Sequence, residues 1–312
     1  KPKYLKYMRN TLLILALLIG IAVGHARPQG NDNKYNHVTF TPLPALQASA
    51  GQGVAAPFAG TLGDGTIVVA GGCNFPDRPA AQGGAKRFYD EVWTRSADAQ
   101  QWQVAGRLPY PAAYGMSVSV GDGVVCIGGH DGQASHSDVF LLTLRNGEVA
   151  QQALPALPAA IDNGCAAWDG SSYIYVAGGQ TDGQASLGAW RLKYPGGTAW
   201  EALPPMPGRG RLQPAGVVQN DATGPLFLVL GGYDSGSEGE GAMVHADGLA
   251  YHPKSGQWTT TAPIIVNGEP RAIVGASALP SGYAHVVCFG GVNRDIFLKA
   301  LQRPGDIAAA EA

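Results

Sequence analysis

Ile67-Val68-Val69-Ala70-Gly71-Gly72 is the first of five short apolar runs that end in a glycine pair. The others are Val124-Val125-Cys126-Ile127-Gly128-Gly129, Tyr175-Val176-Ala177-Gly178-Gly179, Leu228-Val229-Leu230-Gly231-Gly232 and Val287-Cys288-Phe289-Gly290-Gly291. Their first glycines recur at roughly 50 to 60 residues, a period that marks a repeat architecture. The flanks repeat too. Before each pair lies a small-residue segment: residues 54–60, 115–120, 164–168, 216–218 and 275–278. Gly63-Asp64-Gly65 and Gly121-Asp122-Gly123 join such segments to the apolar runs, a hairpin signal. After each of the first four pairs comes a third strand, as in Asp90-Glu91-Val92-Trp93 and Asp138-Val139-Phe140. A fourth is usually centred on Trp (Trp102, Trp200, Trp258), and Leu-Pro ends it at Leu108-Pro109, Leu154-Pro155 and Leu203-Pro204.

Each repeated feature has a physical reason. Small residues suit an innermost strand, because sheets arranged radially crowd toward the axis. A glycine pair lets the backbone turn and approach its neighbour. A Trp on an outer strand fills the wedge where neighbouring sheets diverge. One such sheet cannot bury its own faces, so several must stack around a channel. The expected fold is all-β, a kelch-type β-propeller. Four blades are complete in sequence; the fifth has its first two strands and then residues 292–301. Residues 38–44, ending in Leu43-Pro44, read as a fourth strand with no first three before it. The last blade is therefore expected to be incomplete or missing.

With 45 Gly and 22 Pro but 14% charged residues, the chain has the turns of a β protein and too little charge for disorder. A formal net charge of −2 gives no pull toward nucleic acid or an anionic membrane. Met8-Arg9-Asn10, the apolar residues 12–23 and Gly24-His25-Ala26 read as an export signal with a small-residue cleavage site. The run is short for a membrane span. The expected layout is a signal peptide over 1–26 with extra N-terminal residues, a linker over 27–36, and one C-terminally truncated propeller domain over 37–312. The product would be exported, periplasmic or secreted, with no membrane span after cleavage. Cys73, Cys126, Cys165 and Cys288 show no Cys-x-x-Cys spacing, so neither a metal site nor another cofactor is expected. Cys126 and Cys288 read as buried small hydrophobes.

Four stretches are more specific than generic repeats: Gly71-Gly72-Cys73-Asn74-Phe75-Pro76-Asp77, Lys86-Arg87-Phe88-Tyr89-Asp90-Glu91-Val92-Trp93, Gly268-Glu269-Pro270-Arg271 and Gly290-Gly291-Val292-Asn293-Arg294-Asp295-Ile296-Phe297. In these the chain resembles the bacterial sialic acid mutarotase family (N-acetylneuraminate epimerase), in its cyclically permuted branch, over residues 40–301. The resemblance implies an exported six-bladed propeller, an isomerase that interconverts the anomers of N-acetylneuraminate. The family's proposed base is a Glu in Asn-Gly-Glu-x-Lys-Pro-Gly-x-Arg. No segment here matches it. Asn267-Gly268-Glu269-Pro270-Arg271 is a partial copy that precedes an inner strand, whereas the family motif follows one. Little or no mutarotation is therefore expected of this chain.

Mutarotation needs a base for the anomeric proton and an acid for the ring oxygen. A sialate also needs a cation, best an Arg, for its carboxylate. Loops at a propeller's channel mouth supply such groups, which selects polar residues just after the glycine pairs or just before the inner strands. Glu269 is the candidate catalytic carboxylate. Asn74, His130, Gln180, Arg211, Arg271, Asn293 and Arg294 are the candidate substrate-binding residues. Against these stand turn capping by the amides and bracing of neighbouring blades by the arginines. Asp90, Glu91, Tyr89 and Trp93 read as structural. A non-catalytic propeller that binds glycans or a protein partner is the alternative, since the fold hosts both. A copper oxidase would need convergent Tyr and His ligands, whose spacing is not visible here.

Overall fold

The structure, a computed structural model, describes residues 16–19, 41–46, 53–237, 239–292 and 294–302. Four antiparallel meanders follow one another, the spatial order of their strands matching the order in sequence. Blade one comprises Phe58–Thr61, Ile67–Ala70, Glu91–Arg95 and Gln103–Arg107. Blade two comprises Met116–Val120, Gly123–Ile127, Val139–Arg145 and Glu148–Leu154. Asp162–Trp168, Tyr173–Thr181, Ala189–Lys193 and Trp200–Ala202 form blade three, with Gln184–Ala185 paired at one end. Blade four contains Ala215–Asp221, Gly224–Leu230, Gly248–His252 and Gln257–Thr260. The fifth sheet pairs Ser277–Ser281 with His285–Phe289 and carries Ala16–Ile19, from the run read as an export signal, on its far side. The architecture is the all-β, kelch-type propeller that the repeats imply, and among the described residues its sheets do not close into a ring. The helix Arg294–Gln302 follows the fifth glycine pair. No helix among the described residues is long and apolar enough to cross a membrane.

The core is a set of layers between blades. Alternate residues of a strand point to opposite faces, and blade two shows the consequence. Val124 and Cys126 pack with Phe58, Val68 and Val92 of blade one. Val125 and Ile127 pack with Ile161, Ile174 and Val176 at blade three. Every residue of Gly123–Ile127 is buried, so the strand reads as an unbroken apolar run. Similar layers join blades three and four, through Tyr175, Met206 and Phe227, and blade four to the fifth sheet, through Leu228, Ile273, Val286 and Cys288. All four cysteines are buried free thiols.

Near the axis, space is the constraint. A Cβ on Gly60 would come within 2.7 Å of Ser119 Oγ, and one on Gly164 within 2.7 Å of Met116 Sδ. Ser117 and Ser119 also accept from the backbone N–H groups of Ala59 and Thr61, at 3.0 and 2.8 Å. The glycine pairs join each blade to the next. The N–H groups of Gly72, Gly129, Gly179 and Gly232 donate to the carbonyls of Ala112, Ile161, Arg211 and Ile273, at 2.7 to 2.9 Å. At the periphery, Trp200 Nε1 donates to the Pro155 carbonyl and Trp258 Nε1 to that of Pro204, both at 2.8 Å. Trp102 makes the same bond to Pro44 at 2.9 Å. Residues 38–40 of the expected outer strand lie outside the described residues. Residues 41–46 carry no strand, yet Pro44 occupies the position that the other Leu-Pro pairs occupy relative to the following blade.

Candidate functional site

One residue per blade, at the start of its inner strand, has left-handed backbone: Ala56 (φ 50°), Tyr114 (61°), Asn163 (56°), Gln213 (50°) and Gly275 (66°). They are joined in an arc. Tyr114 N–H donates to the Ala56 carbonyl at 2.9 Å, and Asn163 N–H to Tyr114 at 2.7 Å. Gln213 N–H donates to Asn163 at 2.7 Å, and Gly275 N–H to Gln213 at 3.0 Å. A positive φ is uncommon outside glycine, and for a bulky residue such as Tyr114 it is an outlier. Each such residue costs about 1 to 3 kcal/mol, and the surroundings must impose it. Here the arc of interblade bonds does so, which puts Tyr114, Asn163 and Gln213 at the channel mouth.

These three side chains line a cavity of about 810 Å³ built from loops of blades one to four. On one side stands Asp162, only 1% exposed. Its carboxylate accepts from Ser135 Oγ, from Asn163 Nδ2 and, at 2.9 Å, from Gln180 Nε2. Asn163 Oδ1 in turn accepts from Gln213 Nε2 at 2.9 Å. The three donors compensate the burial of the carboxylate. On the other side Lys86 Nζ donates to the Tyr114 phenol oxygen at 2.7 Å, and the Cys73 thiol donates to the same oxygen at 3.4 Å. Between them His130 Nδ1 accepts from Gly132 N–H at 2.9 Å, which leaves the neutral ring's proton on Nε2. Arg87 is exposed at the rim, with its guanidinium 5.9 Å from the Tyr89 ring and no ion-pair partner among the described residues. Burial, and to a smaller degree the Asp162 charge, pushes the Tyr233 phenol up, so it is a neutral hydrogen-bonding wall.

The sequence candidates fall in different places. His130 and Gln180 line the cavity. Asn74 lines a neighbouring pocket of about 650 Å³, where its Nδ2 donates to the Gly53 carbonyl at 2.7 Å and its Oδ1 accepts from Tyr89 OH at 2.8 Å. Arg211 is buried and braces blade four. It donates to the Gly231 carbonyl and to Asp247 Oδ1, both at 2.8 Å. Glu269 is exposed on a small hairpin in register with Val266, and Arg271 follows it, also exposed; neither lines the cavity. Arg294 starts the C-terminal helix, with Nη1 3.4 Å from Asp295 Oδ1. Asn293 lies outside the described residues. Asp90 and Glu91 both face Arg107, at 2.6 and 3.8 Å, as structural ion pairs. The sequence reading passed over Lys86, Arg87, Tyr114, Asp162, Asn163 and Gln213. The signal for three of them was available: a single variable position just ahead of each small-residue strand. Among the described residues no group of three or more His, Cys, Asp or Glu could hold a metal.

Fold and mouth together define a kelch-type propeller assembly with a polar, loop-built pocket. The solved structure of YjhT shares this fold, with a TM-score of 0.61 over 78% of this chain and 82% of that one, at 14% identity. Residues 23–150 match the N-acetylneuraminate epimerase family. The N-acetylneuraminate epimerase of Brucella suis is 38% identical over 111 residues, 32% of this chain and 28% of that protein. That of Yersinia enterocolitica is 34% identical over 137 residues, 41% of this chain and 34% of that protein. The matched stretches thus span about a third of these relatives' length. They bear out the resemblance carried by the blade signatures of the first half of the chain.

Proposed function

We propose that this chain binds N-acetylneuraminate at the channel mouth and speeds interconversion of its anomers. The observation that carries the reading is the combination at one cavity of a rim arginine with no ion-pair partner among the described residues and a wall of fixed amides. Arg87 suits the sugar's carboxylate, for which a guanidinium is the best-matched cation. Asn163 and Gln180, held by Asp162, and Gln213, held by Asn163, suit its hydroxyl and acetamido groups. Phe88 and Tyr114, with ring centroids 6.3 Å apart, offer an apolar face. The family names of the relatives support the substrate. The family's Glu motif has no match here, and on sequence alone little or no mutarotation is expected; the polar mouth favours a residual acceleration instead, slower than that of an enzyme with both acid and base. Export is part of the proposal. Cleavage after Ala26 would take Ala16–Ile19 off the edge of the fifth sheet, and mass spectrometry of the exported protein should find Arg27 at the new terminus.

Saturation-transfer NMR with N-acetylneuraminate tests binding, and exchange NMR between its anomers tests rate. Arg87→Ala is expected to weaken binding at least about tenfold, the loss of a charge-assisted contact. Binding without acceleration would instead favour a non-catalytic glycan-binding propeller. No binding at all, or an Arg87→Ala variant that binds like the parent, would remove the reading.

A further inference from the structure

Tyr114 is the wall between the two pockets, since it lines both. Its backbone is held left-handed by bonds to blades one and three, so the ring's position is set by the arc and not by local preference. Two donors, the Lys86 ammonium and the Cys73 thiol, converge on its oxygen. A phenol oxygen has lone pairs to accept and one proton to give. With the accepting side occupied twice, the hydroxyl proton is the group left to point at a ligand. Lys86 Nζ also lies 4.9 Å from the Tyr114 ring centroid and 5.6 Å from that of Phe75, which fixes the ammonium against this one phenol.

We propose that Tyr114 is the proton donor of the pocket and Lys86 its positioning residue. This deepens the proposed mutarotation and rests on it. The phenol gives its proton to the pyranose ring oxygen as the bond from that oxygen to the anomeric carbon breaks, the bond's electron pair staying on oxygen. The anomeric hydroxyl loses its proton to water in the open cavity, and its O–H electron pair becomes the second bond of the ketone. Rotation about the adjacent bond presents the other face. On closure the steps reverse, and the phenolate, stabilised meanwhile by the ammonium 2.7 Å away, takes its proton back. Burial of the ring pushes the phenol up, which keeps it neutral but makes it a weaker acid than a free tyrosine; the Lys86 ammonium works the other way, favouring the phenolate when the proton leaves. His130 is a poor candidate for the matching base, because its Nδ1 is already occupied by the Gly132 N–H.

The test compares Tyr114→Phe, Lys86→Met and Lys86→Arg with the parent chain by anomer-exchange NMR of N-acetylneuraminate, spontaneous rate subtracted. Thermal melts confirm that the variants fold. Tyr114→Phe keeps the ring and removes the proton; it should lower kcat about 100-fold and leave KM within about twofold, as for an interaction made only in the transition state. Lys86→Met should lower kcat about tenfold, and Lys86→Arg should recover most of it. Replacing Tyr114 by 3,5-difluorotyrosine, a more acidic phenol, should move the alkaline limb of the pH–rate profile to lower pH. A Tyr114→Phe variant with parental kcat, equal rates for the two Lys86 variants, or an unmoved profile overturns the assignment and leaves the mutarotase reading standing. A parent chain that neither binds nor accelerates the sugar overturns both.

Discussion

The second strands of blade two and of the fifth sheet carry almost the same sequence pattern and live in different surroundings. Gly123–Ile127 is buried along its whole length between two neighbours. In His285–Phe289 only Val286 and Cys288 are buried, against blade four, and Leu279 on the paired strand is 57% exposed. Their glycine pairs differ in the same way. A Cβ on Gly128 would lie 2.3 Å from the Ile161 carbonyl oxygen, while one on Gly290 meets nothing within 4 Å among the described residues. The pattern written in the sequence is thus a specification for an interface, and it becomes a constraint only where a following blade supplies the other side.

The sharpest way to break that comparison is to place the same methyl at both sites. Gly128 and Gly290 both have positive φ, 59° and 80°. Alanine costs about 1 to 2 kcal/mol at either for the left-handed backbone. At Gly128 the clash with the Ile161 carbonyl adds to it and displaces the Gly129 N–H bond to the same oxygen. Gly128→Ala is expected to lose at least about 4 kcal/mol, an exceptional value for one substitution, and Gly290→Ala no more than about 2 kcal/mol. Urea denaturation of the two variants decides it; equal losses would mean that backbone strain alone explains the glycine pairs.

What could be read in the sequence, and what could not, follows from the same distinction. Inner strands, glycine pairs and the Trp and Leu-Pro positions repeat because each blade meets its neighbour in the same way, so the same residue answers each time. The arc positions repeat in backbone only. Ala56, Tyr114, Asn163, Gln213 and Gly275 share one conformation and no chemistry; the side chains of Tyr114, Asn163 and Gln213 line the open mouth, where no neighbouring blade dictates the residue. A search for recurring residues passes over such a position. Arg211 shows the converse. It was a site candidate because it is charged and precedes an inner strand. Its place corresponds to Ala112, Ile161 and Ile273, whose carbonyls receive the glycine N–H bonds, so it is buried and needs Asp247 as a partner.

That burial yields a second, smaller effect. The turn that starts the third strand holds His136 partly exposed beside Asp131 and Asp138 in blade two. In blade four the same turn holds His245, 3% exposed, behind Arg211. Burial, and next the Arg211 charge, pull the His245 imidazole down from 6.5 to about 4. The unfolded chain therefore binds the extra proton in that interval and the folded chain does not. Stability is complete above pH 6.5 and falls as pH drops toward 4, by about 3 kcal/mol. Urea midpoints at pH 7 and pH 4.5 should differ less in His245→Gln than in the parent. A variant with the parent's full pH slope would place the acid sensitivity elsewhere.

The smallest expected effect concerns the inner strands, where blades one and two touch through hydroxyls as well as methyl groups. Ser117 Oγ donates to the Ala59 carbonyl at 2.8 Å and accepts from the Ala59 N–H at 3.0 Å, and Ser119 Oγ accepts from the Thr61 N–H at 2.8 Å. The inner strand of blade one is an edge of its sheet, so these backbone groups have no partner strand, and the two serines stand in for one. Between blades three and four the equivalent contact is a thiol against a glycine: a Cβ on Gly216 would lie 2.9 Å from Cys165 Cβ. Ser117→Ala removes both bonds of one hydroxyl without creating a clash. Water in the channel can replace them in part, since the groups are not sealed off: Ala59 is exposed and the channel, a cavity of about 610 Å³, runs beside it. The loss should be about 1 kcal/mol, the net worth of a typical hydrogen bond, with Ser119→Ala costing less because it gives up one bond and not two. Paired alanines at 117 and 119 should add, within about 0.5 kcal/mol, if each serine serves its own backbone group. A double variant far worse than the sum would mean that the hydroxyls set the spacing of the two blades together.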